Sequence, residues 1–297
     1  MATTEIKTGP RGVRRTVRSQ RTTEGGGFVV RRPFPVPGLD QIDPFLLIDH
    51  LGPVDYGPGE AVGAPDHPHR GFETVTYLLE GEQTHADSAG NHGVLRAGDV
   101  QWMTAGRGVV HAEMPSERLV REGGRTHGFQ IWVNLPKADK MAAPRYQDVP
   151  AATIPVVTTD DGAVLRVIAG SAYGQRGAVE THTPIEYVHA TLPPGTAVEV
   201  PAPSTMNAMA YVISGAGTFG PHGAPGAESD LVVFADDGDV ATLANAADAD
   251  GPLDVLVLAG EPLREPIARY GPFVMNSRSE LVQAVEDYEA GRMGAIV

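Results

Sequence analysis

Short stretches in which apolar and polar residues alternate are the feature of this sequence that most restricts its fold. They include TVTYL (74–78), FQIWVNL (129–135), VLRVI (164–168) and DVLVL (254–258). This period is typical of β-strands that bury one face. Turns rich in glycine and proline separate the stretches, and the chain of 297 residues holds 36 glycines and 25 prolines. Many short strands joined by tight turns predict an all-β fold, an antiparallel sandwich or barrel.

Only the C-terminus carries a helical pattern. Residues 279–288 (SELVQAVEDY) place apolar side chains at positions 281, 282, 285 and 288, an amphipathic spacing. Ser277 or Ser279 is expected to cap the start of this helix, and Gly291 is expected to end it.

An internal repeat divides the strands into two sets. YLLEG at Tyr77 resembles YVISG at Tyr211, an offset of 134 (211 − 77), and GDV at Gly98 resembles GDV at Gly238, an offset of 140 (238 − 98). Two short matches in the same order predict two copies of one β unit. The proline-flanked residues 136–150 are the predicted linker.

Composition excludes several kinds of function. The net charge of −14 argues against direct binding of nucleic acid, and five arginines near the N-terminus (Arg11, Arg14, Arg15, Arg18 and Arg21) are expected on a solvated strand and arm. No cysteine is present for disulfides, thiolate ligands or a nucleophile, which fits a cytoplasmic protein. No stretch reaches the roughly 20 apolar residues of a membrane helix.

Two histidine-containing segments carry the chemistry that the sequence predicts. His67 and His69, in DHPHRGFETVTYLLEGEQ, are two residues apart, so both imidazoles project from one face of a strand. His111 and Glu113, in WMTAGRGVVHAE, form a second pair with this spacing, after a glycine-rich turn that can bring it across to the first. Three imidazoles and one carboxylate predict a metal site.

The donor set narrows the choice of metal. Four nitrogen and oxygen ligands suit a first-row divalent ion, and a six-coordinate ion would keep two positions for water, substrate or dioxygen. Fe(II) fits best, while manganese, nickel, copper and zinc also fit. Open positions favour reaction or ligand binding over a closed structural site.

The repeat predicts one ion per chain. Offset 134 carries the first histidine pair onto Pro201 and Pro203, and offset 140 carries His111 and Glu113 onto Gly251 and Leu253. None of these four side chains binds a metal.

The remaining candidates have structural alternatives. Four residues flank the ligand strand: Gln101, Trp102, Met103 and Met114. The apolar ones among them are expected either to line an aromatic-binding pocket or to fill the barrel. His85, Asp87 and His92 are expected on a surface hairpin. His182 and His189 are expected to be polar strand or edge residues.

Three longer blocks resemble the signature blocks of the pirin family, which are bicupins of the cupin superfamily. They are DHPHRGFETVTYLLEGEQTHADSAGN (66–91), GDVQWMTAGRGVVHAEMP (98–115) and AGEPLREPIARYGPFVMN (259–276). The resemblance implies two tandem cupin (jelly-roll) β-barrels with a C-terminal helix. It implies a metal-binding cupin at 1–135, a linker at 136–150, a cupin without metal ligands at 151–262, and a last segment at 263–297 that packs back on the first domain.

The resemblance also implies that iron is held by His67, His69, His111 and Glu113. The general cupin pattern instead takes its glutamate four residues after the second histidine, at Glu73, which shares a strand face with the histidine pair. We favour Glu113 as the ligand and expect Glu73 to orient a ligand or Arg70.

Two activities of different kinds follow from the resemblance. One is that of a quercetin 2,3-dioxygenase, which cleaves a flavonol with Fe(II) and O2; Glu113 could take the flavonol proton. The other is a non-catalytic, metal-dependent regulatory partner of a transcription regulator or a metabolic enzyme. We favour the enzyme.

Overall fold

The computed structural model describes residues 9–24 and 26–296. The strands of the first half, with α1 (Glu117–Glu122) before β11, are β1 (Val13–Arg18), β2 (Gln20–Glu24), β3 (Phe28–Phe34), β4 (Phe45–Tyr56), β5 (Ala64–His69), β6 (Phe72–Glu80), β7 (Glu82–Asp87), β8 (His92–Arg96), β9 (Val100–Thr104), β10 (Val109–Pro115), β11 (Gly124–Asn134) and β12 (Arg145–Val149). Those of the second half, followed by α2 (Arg278–Glu289), are β13 (Val156–Thr158), β14 (Val164–Ala169), β15 (Ser171–Ala172), β16 (Gln175–Arg176), β17 (Ile185–Leu192), β18 (Ala197–Pro201), β19 (Asn207–Ser214), β20 (Ala216–Phe219), β21 (Ala224–Ala227), β22 (Asp230–Phe234), β23 (Val240–Ala244), β24 (Leu253–Gly260), β25 (Ala268–Tyr270) and β26 (Phe273–Met275).

These elements form two compact units. The N-terminal unit comprises residues 20–151 and 263–296, and the C-terminal unit comprises residues 9–19 and 152–262. In the N-terminal unit a seven-stranded sheet has the order β12-β9-β6-β11-β4-β3-β2, and a four-stranded sheet has the order β5-β10-β7-β8. In the C-terminal unit the corresponding orders are β1-β22-β19-β24-β17-β14-β13 and β18-β23-β20-β21.

The predicted fold class is confirmed: the chain is mostly β, with two tandem jelly-roll barrels and a C-terminal helix. Helix α2 starts at the predicted cap, because the Ser277 side chain accepts a hydrogen bond from the Glu280 N–H. The Asn276 N–H in turn donates to Glu280 Oε2 at 3.0 Å. Leu281 and Ala284 are the buried residues of this helix.

One helix was not expected from the sequence. Helix α1 has six residues, too few to show a period, and depends on its ends. The Ser116 side chain accepts from the Leu119 N–H, and Gly123 closes the last turn with a φ of 72°.

Two of the predicted domain boundaries differ from the boundaries of the two units. Strand β1 was assigned to the first domain, but it pairs with β22 in the sheet of the C-terminal unit. Part of the predicted linker is also regular structure, because β12 is the edge strand beside β9. The predicted division of the chain into domains stays a prediction.

The strand orders show the internal repeat, and they correct one of its offsets. Tyr77 on β6 pairs with Val100 on β9, and Tyr211 on β19 pairs with Leu231 on β22. The counterpart of β9 is therefore β22, at an offset of 131 (231 − 100). The offset of 140 was wrong because it matched β9 with β23, a strand of the other sheet.

The interior of the C-terminal unit is apolar and built largely of small residues. Its core includes alanines 163, 190, 208, 210, 241 and 259 packed among valines and leucines. Strand β23, the counterpart of β10, reads VATLA and offers neither imidazole nor carboxylate. The counterpart of β5 is β18, whose single carboxylate, Glu199, is exposed. The expectation of a barrel without metal ligands therefore keeps its support, through a different alignment.

Arg11 departs from the expected solvated arm, because it is only 1% exposed. Its Nη1 donates to the carbonyl oxygens of Ala202, Pro203 and Met206 at 2.9–3.0 Å, and its Nε donates to the Ala235 carbonyl. Arg11 thus ties the N-terminal strand to two loops of the C-terminal unit. Neither described helix is long and apolar enough to cross a membrane.

Candidate metal centre

Three histidines from two neighbouring strands converge in the N-terminal unit. His67 and His69 stand on β5, and His111 stands on the adjacent β10 directly opposite His67. The ring centroids are 4.3–4.9 Å apart. One nitrogen from each ring lies within 4.8 Å of the others. The spacing of two along β5, combined with antiparallel pairing to β10, places the three imidazoles on one face.

The protein surroundings of these rings fit a metal. His69 and His111 are 3% and 0% exposed, yet neither ring nitrogen of His111, nor Nδ1 of His69, has a hydrogen-bond partner among the described residues. Buried polar atoms of this kind are rare in proteins and call for a ligand or an ion. The Nδ1 of His67 lies 2.7 Å from the Pro65 carbonyl, which fixes that ring and directs Nε2 elsewhere.

Burial also keeps two of the imidazoles in the form that binds metals. Desolvation, followed by the neighbouring imidazoles, lowers the pKa of His69 well below its ordinary value. Desolvation also lowers the pKa of His111, although the nearby Glu113 carboxylate opposes the shift. Neutral imidazoles are metal ligands, whereas imidazolium ions are not.

Glu113 lies beside the three histidines and is held by three donors. Its Oε1 accepts hydrogen bonds from Thr76 Oγ1 at 2.8 Å and from Gln83 and Gln130 Nε2 at 3.2 Å, and its Oε2 accepts one from Gln130 at 3.0 Å. Burial alone would raise the pKa of Glu113, but His111, the hydrogen bonds from Gln130 and Thr76, and His67 outweigh it and lower the pKa. Glu113 is therefore a carboxylate anion next to the imidazoles.

Glu73 has different surroundings. It is 1% exposed, and its Oε1 accepts a hydrogen bond from Thr104 Oγ1 at 2.7 Å. It does not line the cavity that His67, His69 and Glu113 share. Glu113 thus shares the cavity with His67 and His69 and Glu73 does not, while the choice of Glu113 as the fourth ligand stays a prediction.

A cavity of about 630 Å³ opens beside the histidines within the N-terminal unit. Its walls are largely apolar, with side chains that include Val29, Leu47, Leu51, Val62, Leu78 and Phe129. Trp132 and Gln130 line it next to the imidazoles, and the Trp132 ring meets the His69 ring edge-on at 5.3 Å. The Arg269 guanidinium lies 4.9 Å from the centre of the Trp132 ring. A cavity of this size and lining suits a small organic ligand.

The structure separates the flanking residues that the sequence grouped together. Met114 lines the cavity. Trp102 and Met103 are buried away from it, and Met103 packs with Ala105 and Val109. Gln101 Nε2 donates to Asp148 at 3.0 Å, outside the cavity.

The expected surface role of His85 and Asp87 was wrong, because both are buried. They lie on β7, directly opposite Glu113 and His111 of β10. The His85 ring stacks on Tyr146 and lies 3.4 Å from Asp148. Asp87 accepts hydrogen bonds from the turn that follows it. A hairpin forms as predicted, but its inner face packs against the strand that carries the ligands.

Sequence reasoning also missed the residues that hold Glu113. Thr76 and Gln130 stand on strands that the alternation did predict, whereas Gln83 stands on β7, which it did not predict. The available signal was the pair of polar side chains at 76 and 130, inside strands whose neighbouring residues are apolar and buried. A polar residue in such a position needs a partner, which here is Glu113.

Comparisons with known proteins agree with this geometry. The family model described as pirin matches residues 27–133, and that of the pirin C-terminal cupin domain matches residues 187–294. The chain is 41% identical over 294 residues to a pirin-like protein of Solanum lycopersicum, covering 99% of this chain and 97% of the relative.

Solved structures give two further matches. A quercetin 2,3-dioxygenase from Acinetobacter baumannii matches with a TM-score of 0.90 and 36% identity, over 97% of this chain and 100% of that one. A bacterial pirin from Escherichia coli in complex with nickel(II) matches with a TM-score of 0.64 and 21% identity, over 86% and 99% of the two chains. At that identity the second match indicates a shared fold.

Proposed function

Because the chain belongs to the pirin family, we propose that it is an iron-binding bicupin that cleaves flavonols, as a quercetin 2,3-dioxygenase using Fe(II) and O2. The observation that carries the proposal is the cluster of His67, His69 and His111, with Glu113 in the wall of the adjoining apolar cavity. The likeness to the A. baumannii quercetin 2,3-dioxygenase supports the choice of substrate. The nickel(II) in the E. coli pirin is the reason to test other divalent metals as well. The expected cytoplasmic location is part of the same proposal.

His67, His69 and His111 would hold the metal, with Glu113 as a fourth ligand or as a close neighbour. When bound, the ion would lower the pKa of a coordinated flavonol hydroxyl and offer an open position for dioxygen. The flat substrate would lie against the apolar wall near Phe129 and Leu47, which excludes water from the reacting atoms.

Glu113 is the base in this scheme. Its Oε1 receives three hydrogen bonds and its Oε2 receives one, so Oε2 is the oxygen with capacity left for the flavonol proton. Gln130 donates to both oxygens and keeps the carboxylate from rotating. A carboxylate whose pKa is lowered accepts this proton once the metal has made the hydroxyl acidic.

Two measurements test the proposal together. Elemental analysis of purified protein should give about one transition metal per chain, and His67→Ala or His111→Ala should remove it. His92→Ala is the matched control, because His92 is exposed on β8 and should leave the metal in place. Aerobic incubation of iron-loaded protein with quercetin should bleach the flavonol absorbance.

The second candidate function is the non-catalytic regulatory role. The relative from S. lycopersicum carries the name of the family and no activity, which keeps this role open. Fully iron-loaded protein that leaves quercetin unbleached would favour it. Protein that binds no transition metal would contradict both functions.

A further inference from the structure

Arg70 stands between a metal-site histidine and the C-terminal helix. It follows His69 directly in sequence and is only 4% exposed. Its Nε donates to the Arg107 carbonyl at 2.6 Å, and its Nη1 lies 2.7 Å from Asp287 Oδ2 on α2. Arg107 lies in the turn that leads into β10, so Arg70, which directly follows β5, links the end of that strand to the turn before β10.

Asp287 is itself held in place. Its Oδ1 accepts hydrogen bonds from Gln283 Nε2 at 2.9 Å and from Arg292 Nε at 2.6 Å, which leaves Oδ2 for Arg70. The hydrogen bond from Arg70, supported by those from Gln283 and Arg292, lowers the pKa of Asp287 to about 2. The carboxylate is therefore ionised throughout the neutral range.

The backbone on either side of Arg70 is also fixed by the C-terminal segment. The Arg70 N–H donates to the Pro272 carbonyl at 3.3 Å, and the Val274 N–H donates to the Arg70 carbonyl at 3.0 Å. Gly71 has a φ of 86°, and a Cβ there would lie 2.0 Å from the Val274 carbonyl oxygen. Only glycine permits this approach, so the segment fits closely against the residues that follow His69.

We propose that Arg70 and Asp287 are positioning residues of the metal centre, through which helix α2 sets the spacing between His69 and His111. The inference rests on the metal binding of the proposed function. Neither residue touches the metal or the substrate; Arg70 fixes the two strand ends, and Asp287 fixes Arg70.

The physical argument is one of preorganisation. The three imidazoles bind one ion only if their nitrogens keep a fixed separation, and His69 is the last residue of β5, where it pairs with Val109, the first residue of β10. A planar guanidinium with donors in two directions reaches the turn before β10 and Asp287 at once, which a lysine ammonium cannot reproduce. Groups that orient metal ligands are typically worth about 10–100-fold in metal affinity.

The test compares Asp287→Asn and Arg70→Lys with wild-type full-length protein. Each is stripped of metal and titrated with Co(II), and the dissociation constant and the visible spectrum at saturation are recorded. We expect the dissociation constant to rise about 10–100-fold and the Co(II) bands to shift, because the ligand geometry changes. Asp287→Glu, which keeps the charge, should recover part of the affinity.

Glu286→Gln is the matched control. It removes one negative charge from the same turn of α2 at an exposed position, and it should bind Co(II) as wild-type protein does. Far-UV circular dichroism establishes that each variant is folded at the titration temperature. A general loss of stability would lower the unfolding midpoint without shifting the bands of the saturated protein.

The outcomes separate the inference from the function on which it rests. Wild-type protein that binds no Co(II) would overturn the proposed metal centre. Wild-type protein that binds Co(II), together with folded Asp287→Asn and Arg70→Lys that bind it equally tightly with unchanged bands, would overturn the positioning role alone. An equal effect from Glu286→Gln would also overturn it, because long-range charge would then be the cause.

Discussion

At the scale of single residues, Glu113 and Glu73 are both buried, but their side chains accept hydrogen bonds from different partners. Glu113 lines the cavity and accepts hydrogen bonds from three side chains. Glu73 does not line the cavity and accepts a hydrogen bond from Thr104 Oγ1. We expect Glu113→Gln to weaken metal binding about tenfold or more and to slow flavonol bleaching. Glu73→Gln keeps an oxygen for Thr104 and should retain the metal. Elemental analysis of both variants checks this, and loss of metal from Glu73→Gln alone would reverse the assignment.

Trp132 offers a direct report on the position of the ion. Its ring contacts His69 at 5.3 Å and lines the cavity, whereas Trp102 does not line it. Binding of a paramagnetic ion such as Co(II) or Ni(II) to the imidazoles should therefore quench mainly the Trp132 emission. We expect Trp132→Phe to lose most of the metal-dependent quenching and Trp102→Phe to keep it. Quenching that persists in Trp132→Phe would place the ion elsewhere.

Single residues also show how far the sequence alone could go. The spacing of His67, His69, His111 and Glu113 was readable because strand geometry puts alternate residues on one face. The polar side chains at 76 and 130 signalled a buried partner, but the identity of that partner, Glu113, was not readable because the contact depends on strand pairing that no local pattern encodes. Arg11 was missed for the same reason: its four carbonyl acceptors lie about 190 or more residues away in sequence.

At the scale of elements, the long alternating strands and the capped helix α2 could be predicted from the sequence. The short helix α1 and the register of the strands could not. Helix α1 is too short for a period to appear. The Gly-Asp-Val match failed because that tripeptide is a turn into a strand in either sheet, so it identifies a turn and not a register. Register depends on neighbours across the sheet, as the pairing of Tyr77 with Val100 shows.

Lys140 joins three elements of the N-terminal unit and should make its stability depend on pH. The Nζ is buried and donates to the Gly71 and Val274 carbonyls and to Asn134 Oδ1 at 2.7–3.0 Å. Burial lowers the pKa of Lys140 to about 8, although Glu265 and Glu280 oppose the shift. We expect Lys140→Met to destabilise the protein by about 1–3 kcal/mol near pH 7, since it leaves buried acceptors without a donor.

The sign of the pH effect follows from the lowered pKa. Between pH 8 and the ordinary lysine value of 10.5, the unfolded chain binds a proton that the folded chain does not, so stability rises with pH. The advantage of wild type over Lys140→Met should grow across this window, by up to about 1.4 kcal/mol per pH unit, and stay constant below it. Urea denaturation at several pH values measures both proteins. A difference that stays flat from pH 8 to 10 would contradict the lowered pKa.

At the scale of the whole molecule, the two units share one topology but differ in how many charged and imidazole side chains they bury. Buried charged or imidazole side chains of the N-terminal unit are Asp49, His50, His69, Arg70, Glu73, His85, Asp87, His111, Glu113 and Lys140. In the described part of the C-terminal unit they are Arg11 and His189. Buried polar groups cost stability unless they are partnered, so their concentration marks the unit that contains the candidate metal centre, whereas the core of the C-terminal unit is built mostly of alanine, valine and leucine.

This asymmetry allows the predicted division into two domains to be tested with one substitution. Both tryptophans of the chain, Trp102 and Trp132, lie in the N-terminal unit, so tryptophan fluorescence follows that unit. Arg11→Met leaves buried carbonyls of the C-terminal unit without their donor and should cost about 2–4 kcal/mol there. In urea, we expect Arg11→Met to show a transition in far-UV circular dichroism at a lower urea concentration than wild-type protein. The midpoint followed by tryptophan fluorescence and the metal content should equal those of wild-type protein.

The control for that experiment is Arg14→Met, because the Arg14 side chain is 57% exposed and pairs with an Asp236 that is 72% exposed. Exposed pairs contribute between about 0 and 1 kcal/mol, so both transitions should stay near their wild-type midpoints. If Arg11→Met moved the fluorescence and dichroism midpoints together by the same amount, the two units would unfold as one. The polar interior would then depend on the apolar one for its stability, and the division into domains would hold for topology but not for folding.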